Sequence, residues 1–285
     1  MTSTLRFDAI GTGWQIDTEE PVAGELERAL LARTEAYDAV YSRFRDDSLV
    51  SRLAREGGRV RFPSDAVDLF DVYRRLYEAT DGAMSPLVGR TLESLGYDRH
   101  YSLRPEARVA DVPAWEDAFA WDGEHVEAAR PITIDVGAAG KGHLVDILST
   151  MLQDAGHERF TVDGSGDIRH RGEPLRVALE DPRDPSKAIG VVRLGTGALA
   201  SSATNRRAWG DGLHHVIDAT TGLPTTRYSA TWALAETALE ADALATALFF
   251  ADPARLRSNF DFTYVRMTAT ARAERSPDLE GELFT

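Results

Sequence analysis

The chain of 285 residues contains no cysteine. That excludes disulfides, thiolate nucleophiles, cysteine metal ligands and a lipid carried on cysteine. No stretch approaches the roughly 18 consecutive apolar residues of a membrane span. Met1 to Trp14 lacks the basic-then-apolar order of a secretory signal, so the sequence reads as cytoplasmic, with no membrane anchor. Positive charge is in deficit: 32 Lys and Arg stand against 46 Asp and Glu, a net −14. A surface of that sign repels nucleic acid and anionic lipid, and leaves room only for a local basic pocket that takes a phosphate.

What is present is ordinary for a soluble folded protein: 43% hydrophobic and 27% charged residues, enough to bury a sizeable core. Neither an internal repeat nor a low-complexity linker divides the chain, so residues 1–285 read as one compact unit. Leu5 to Asp17 alternates around Gly11-Thr12-Gly13, a strand broken by a glycine turn. Apolar residues recur at helical spacing from Val22 to Tyr41. Ser48 is placed to cap a short helix through Leu53, and Ser64 another running to Thr80, which Asp81-Gly82 stops. Pro86 to Pro113 reads as loop with short helix. Ala118 to Trp121 and His125 to Glu127 form a hairpin across Asp122-Gly123. Ile132 to Val136 reads as a strand, followed by a helix through Leu152. Later strands are expected at 160–162, 168–170, 176–179, 190–194, 215–218, 228–235 and 262–270, with one helix over 237–250. Helices mainly in the first half and antiparallel strands mainly in the second make the class α+β.

Four segments carry candidate chemistry. In Thr133 to His143, a strand delivers Asp135 to a run of small residues, and a helix opens with Lys141 in its first turn. Helix dipole, backbone N–H groups and an ammonium suit a diphosphate. A packing turn with a solvated lysine is the plainer alternative. In Thr237 to Phe250, Asp242 and Thr246 lie one helical turn apart on an Ala-rich helix. A carboxylate and a hydroxyl are costly to bury without a partner and are hard ligands suited to Mg²⁺; capping a neighbouring backbone is the alternative. The third segment holds Ser201, Ser202, Thr204, Arg206 and Arg207, then His214-His215. Adjacent strand residues face opposite ways, so one histidine in a site, His215, fits better than two. The fourth, Asp163-Gly-Ser-Gly-Asp167, reads mostly as a β-turn.

In order along the chain these segments resemble the ApbE-type FAD:protein FMN transferases. Asp135-Val-Gly-Ala-Ala-Gly-Lys-Gly-His-Leu-Val-Asp146 is similar to that family's Asp-Leu-Gly-x-x-x-Lys-Gly-x-x-x-Asp. Val162 to Ile168 resembles its glycine turn, and Leu199-Ala-Ser-Ser-Ala its Ala-Thr-Ser-Gly. His214 to Pro224 looks like its His-Ile-Ile-Asp-Pro-x-Thr-Gly-x-Pro, and Glu240 to Leu248 its Ala-Asp-Ala-x-Ala-Thr-Ala-Leu. Ile10-Gly-Thr12 is similar to Met-Gly-Thr, and Phe44 to Leu53 resembles a Ser-x-x-Ser-x-Leu stretch. Ala83-Met84-Ser85-Pro86 departs from the family's Phe-Asp-Pro-Thr.

The resemblance implies a flavin transferase-like domain over 1–285 that binds FAD as substrate. Ile10, Phe44, Ala83, Met84, Ser85, Asp135, Lys141, His215 and Val216 would contact it. Asp242, Thr246 and the Ala138 carbonyl would hold Mg²⁺, and Asp242 and His215 would take part in catalysis. A Thr or Ser hydroxyl of a target flavoprotein would attack the FMN phosphorus and AMP would leave. The competing readings are an Mg²⁺-dependent FAD pyrophosphatase, with water as acceptor, and a flavin-binding protein without turnover.

Overall fold

In the computed structural model, which describes residues 3–284, an eight-stranded antiparallel meander forms the centre. Its strands neighbour one another in chain order: Ser3–Ala9, Thr12–Thr18, Phe160–Asp163, Ile168–Arg171, Gly197–Ala203, Tyr228–Ala235, Phe262–Thr268 and Ala273–Arg275. The helices sit on insertions between these strands. Gly24–Tyr41, Leu49–Glu56, Ala66–Ala79 and Gly140–Asp154 fall between the second and third, and Ala238–Ala247 between the sixth and seventh. The class is α+β, as the order of patterns predicts. Among the described residues, no helix is long and apolar enough to cross a membrane.

The alternation of the strands divides the interior in two. Along Gly197–Ala203, Ala198 and Ala200 join the helix-side core with Leu144, Leu148 and Leu244, while Leu199 joins Leu179, Trp232 and Val265 on the other face. A second antiparallel sheet of Leu175–Asp181, Asp184–Leu194 and Gly281–Leu283 contributes to that second core. The small alanines let the helix Ala238–Ala247 lie close over the strands.

Local signals place most elements. The first hairpin turns at Ile10-Gly11, both left-handed (φ 43° and 76°), so Gly11 rather than Gly13 is the turn glycine. Ser48 caps Leu49–Glu56, its Oγ accepting from Ser51 N–H at 3.1 Å. Four expectations are corrected. Ser64 does not cap Ala66–Ala79; Asp65 precedes the helix and its carboxylate is drawn instead to Arg33 and Tyr41. Ile132 to Val136 buries alternate residues yet forms no ladder; single bonds from Ile132 N–H to Leu53 and Asp135 N–H to Pro86 pin it instead. The strand expected from His215 to Asp218 breaks into Leu213–His214 and Ile217–Asp218. Gly197–Ala203, a stretch not among the expected strands, is a central strand.

Candidate active site

Two helices cap each other at the heart of the site. Gly142 lies in the first turn of Gly140–Asp154, and its N–H donates to Asp242 Oδ2 at 3.0 Å. In return Asp146 accepts from Ala238 and Leu239 N–H, at 3.0 and 2.8 Å, across the start of Ala238–Ala247. Each helix supplies a carboxylate for the other's orphan N–H groups. The approach demands glycine: a Cβ on Gly142 would stand 2.1 Å from the Ala238 carbonyl oxygen.

Beside this crossing runs a groove of two lobes, of about 300 and 320 Å³. Gly11, Tyr97, Asp135, Gly137, Lys141 and Arg207 line both and mark the junction. The first lobe receives Asp242, Thr246, Ala138, Met84, Ser85, His215 and Val216; the second receives Ile10 and Phe44. Of the expected contact residues, Ala83 alone stays out: it is buried, and its carbonyl accepts the Ala219 N–H at 2.9 Å. The second lobe carries an aromatic shelf, with Phe44 stacked on Tyr101 at 5.4 Å and Tyr97 edge-on to both. Such a shelf offers a face to a flat ring.

The charges are tightly paired. Lys141 forms an ion pair with Asp167, which is fully buried. Asp167 faces Asp242, and its Oδ1 has no hydrogen-bond donor. Burial first, then the Asp242 charge, push the Asp167 carboxyl upward, and the paired Lys141 ammonium pulls it back. Lys141 is held above its ordinary range, because Asp167 and Asp242 outweigh the opposing burial. At Asp135, burial works to raise the carboxyl, but Arg43 and the Gly137 N–H (2.7 Å) hold it below the usual range. So Asp135 reaches the groove with both oxygens engaged.

The two histidines part as their alternation suggests. His214 bonds the Thr225 carbonyl at 2.8 Å through Nε2. His215 lines the first lobe with Nδ1 buried and unpartnered. Burial, reinforced by Arg207, lowers the His215 ring to about 3, so it is neutral at physiological pH.

Sequence reasoning assigned no part to Asp167 or Arg43. Asp167 hides behind a turn in which Ser165 and Gly166 are left-handed (φ 61° and 99°), and the turn sends the carboxylate inward. The expectation of a plain turn captures its backbone and misses its charge. Arg43 follows a helix as one basic residue among many, and nothing local distinguishes it.

A model of the ApbE family matches residues 10–263. An FAD:protein FMN transferase of Vibrio cholerae is 29% identical over 248 residues, covering 79% of this chain and 71% of that protein. One from Haemophilus influenzae is 26% identical over 272 residues, covering 87% and 78%. The crystal structure of an ApbE protein from Thermotoga maritima superposes with a TM-score of 0.83, at 25% identity and 97% coverage of both chains. A flavin transferase ApbE from Vibrio cholerae gives a TM-score of 0.81 at 24% identity, again over 97% of both chains, a likeness of fold.

Proposed function

The chain belongs to the ApbE family, and on that premise we propose that it transfers FMN from FAD to a Thr or Ser hydroxyl of a target flavoprotein. The observation that carries this reading is the two-lobed groove. It runs past a helix N-terminus, with an aromatic shelf on one side and Asp242 and Thr246 on the other. Such a groove suits a long dinucleotide with a flat ring at one end and a diphosphate in its middle.

The reaction forms one P–O bond and breaks another. The target hydroxyl oxygen attacks the FMN phosphorus, the bond to the bridging oxygen breaks, and AMP leaves. The hydroxyl proton passes to the site or to solvent. Such transfers depend mainly on positioning and on charge around the phosphates. The helix beginning at Gly140 directs its positive end at the diphosphate. His215 lines the first lobe as a neutral ring and can exchange a hydrogen bond there with the incoming hydroxyl. Its ring orients the hydroxyl rather than storing the proton, since so depressed a group is a weak base.

Among the described residues no three His, Asp or Glu side chains converge as a ready metal site. The donors present nevertheless fit a hard cation. Asp242 and Thr246 offer oxygens in the groove, Ala138 lines it beside them, and Asp167, which faces Asp242, has one oxygen that lacks any donor. Asp242, Thr246 and the Ala138 carbonyl would hold Mg²⁺, which would neutralise charge on the reacting phosphates.

The test is to incubate the chain with FAD, Mg²⁺ and a flavoprotein that carries an acceptor hydroxyl, most simply a cytoplasmic one. Flavin bound covalently to the target, with AMP released in equal amount, is the expected outcome. FMN and AMP free in solution with an unlabelled target would instead make the protein a pyrophosphatase. Bound FAD with no product at all would make it a carrier.

A further inference from the structure

Five cationic side chains line the groove: Arg43, Arg45, Lys141, Arg206 and Arg207. Four are already committed. Arg43 pairs with Asp135, Arg45 with Glu35, Asp38 and Asp47, Lys141 with Asp167, and Arg206 with Glu180. Among the described residues, Arg207 has no carboxylate within ion-pair distance.

Its position is as distinctive as its charge. Arg207 ends the short turn Thr204–Arg207 that follows the central strand Gly197–Ala203. Its carbonyl accepts the His215 N–H at 3.3 Å, which ties its backbone to the histidine that lines the first lobe. Its guanidinium lies 5.8 Å from the centre of the Tyr97 ring, and Tyr97 in turn stacks on Trp209 at 5.5 Å. The residue therefore stands at the junction of the lobes on a supported aromatic base, only half-buried, with its hydrogen-bonding head uncommitted. Its field is felt around the site, where it opposes protonation of Asp135 and His215.

We propose that Arg207 is the side chain that grips the phosphate chain of the dinucleotide where the two lobes meet. The inference rests on the flavin-nucleotide reading above and names a residue which that reading did not assign. A guanidinium suits this role, since it donates two parallel hydrogen bonds to phosphate oxygens and can still lie on an aromatic face. Lys141 is the less available cation, because the buried carboxylate of Asp167 already holds it. Between the shelf of Phe44 and Tyr101 on one side and Asp242 on the other, a phosphate chain crossing the junction meets Arg207.

The experiment compares three ligands on the full chain with Mg²⁺: FAD, ADP and riboflavin. ADP carries a diphosphate and no flavin; riboflavin carries the ring and no phosphate. Arg207→Gln is expected to weaken FAD and ADP by about tenfold to a hundredfold, the size of one or two hydrogen bonds to a charged group. Riboflavin binding should stay within about twofold. Arg207→Lys should recover part of the loss, and the salt dependence of FAD binding should flatten in Arg207→Gln. FAD affinity within twofold of wild type in Arg207→Gln would overturn the assignment. So would equal losses for riboflavin and FAD, since these would mark Arg207 as a support for the shelf. A wild-type chain that binds FAD and ADP yet labels no target removes the transferase reading and leaves this site standing. A wild-type chain that binds neither removes both.

Discussion

Asp242 serves both the fold and the proposed metal, and substitution can separate the two roles. One oxygen closes the first turn of Gly140–Asp154 by accepting from Gly142 N–H, at 3.0 Å. The carboxylate also faces Asp167, which has no donor on its Oδ1. Asp242→Ala strands a buried N–H, a loss of about 1–3 kcal/mol. Part of that returns because Asp167 no longer faces a second negative charge. A net loss of about 1–2 kcal/mol lowers the melting temperature by roughly 2–6 °C in a chain of this size. Asp242→Asn differs: its carbonyl can keep the bond to Gly142, and its amide can donate to the orphaned Asp167 oxygen. It should therefore melt within about 2 °C of wild type, or above it. Both variants should lose Mg²⁺-dependent release of AMP from FAD, by at least about a hundredfold, because an amide is a poor ligand for a hard cation. The assay is AMP formed against Mg²⁺ concentration, with a thermal melt of each variant beside it. If Asp242→Asn melts as low as Asp242→Ala, the fold depends on the charge itself and the separation of roles is refuted. If either variant keeps wild-type Mg²⁺ dependence, the ligand assignment fails.

Gly142→Ala should be strongly destabilising, at the upper end of about 1–3 kcal/mol, since its Cβ would meet the Ala238 carbonyl oxygen at 2.1 Å and the Asp242 Cβ at 2.7 Å. An unchanged urea midpoint would show that the two helices are not held so closely. Asp146→Ala should remove about 1–2 kcal/mol and speed hydrogen exchange at Ala238 and Leu239, the two N–H groups that Asp146 accepts from; slow exchange at both would refute the capping role. Burial lowers His143, whose ring meets Tyr37, from 6.5 to about 4. The unfolded chain therefore takes up a proton near pH 6.5 that the folded chain refuses, so stability is complete above that pH and declines towards pH 4. Denaturation at about pH 7.5 and about pH 5 should show the decline, and His143→Gln should reduce it; an identical decline in that variant would acquit His143.

Much of this protein is legible from neighbours along the chain. The spacing of Val22 to Tyr41, the cap at Ser48, the stop at Gly82 and the whole strand Tyr228–Ala235 follow from propensity and periodicity within a dozen residues. The motifs around Asp135, His215 and Asp242 likewise identify the surfaces that line the groove. Where the sequence misleads, the deciding partner is distant. Ile132 to Val136 has the alternation of a strand and no neighbour to complete a ladder, whereas Gly197–Ala203 lacks that alternation and is held between two strands. The same holds for charge. Lys141 meets Asp167 across 26 positions, Arg43 meets Asp135 across 92, and Asp242 meets Gly142 across 100. Residue type tells that a side chain carries charge, but only the folded chain determines which opposite charge comes close enough to pair with it. Coulomb attraction and desolvation depend on that separation and on burial, not on order in the sequence. For this reason Lys141 and Arg207 look alike as cations in the sequence, and only the tertiary structure leaves Arg207 unpaired among the described residues.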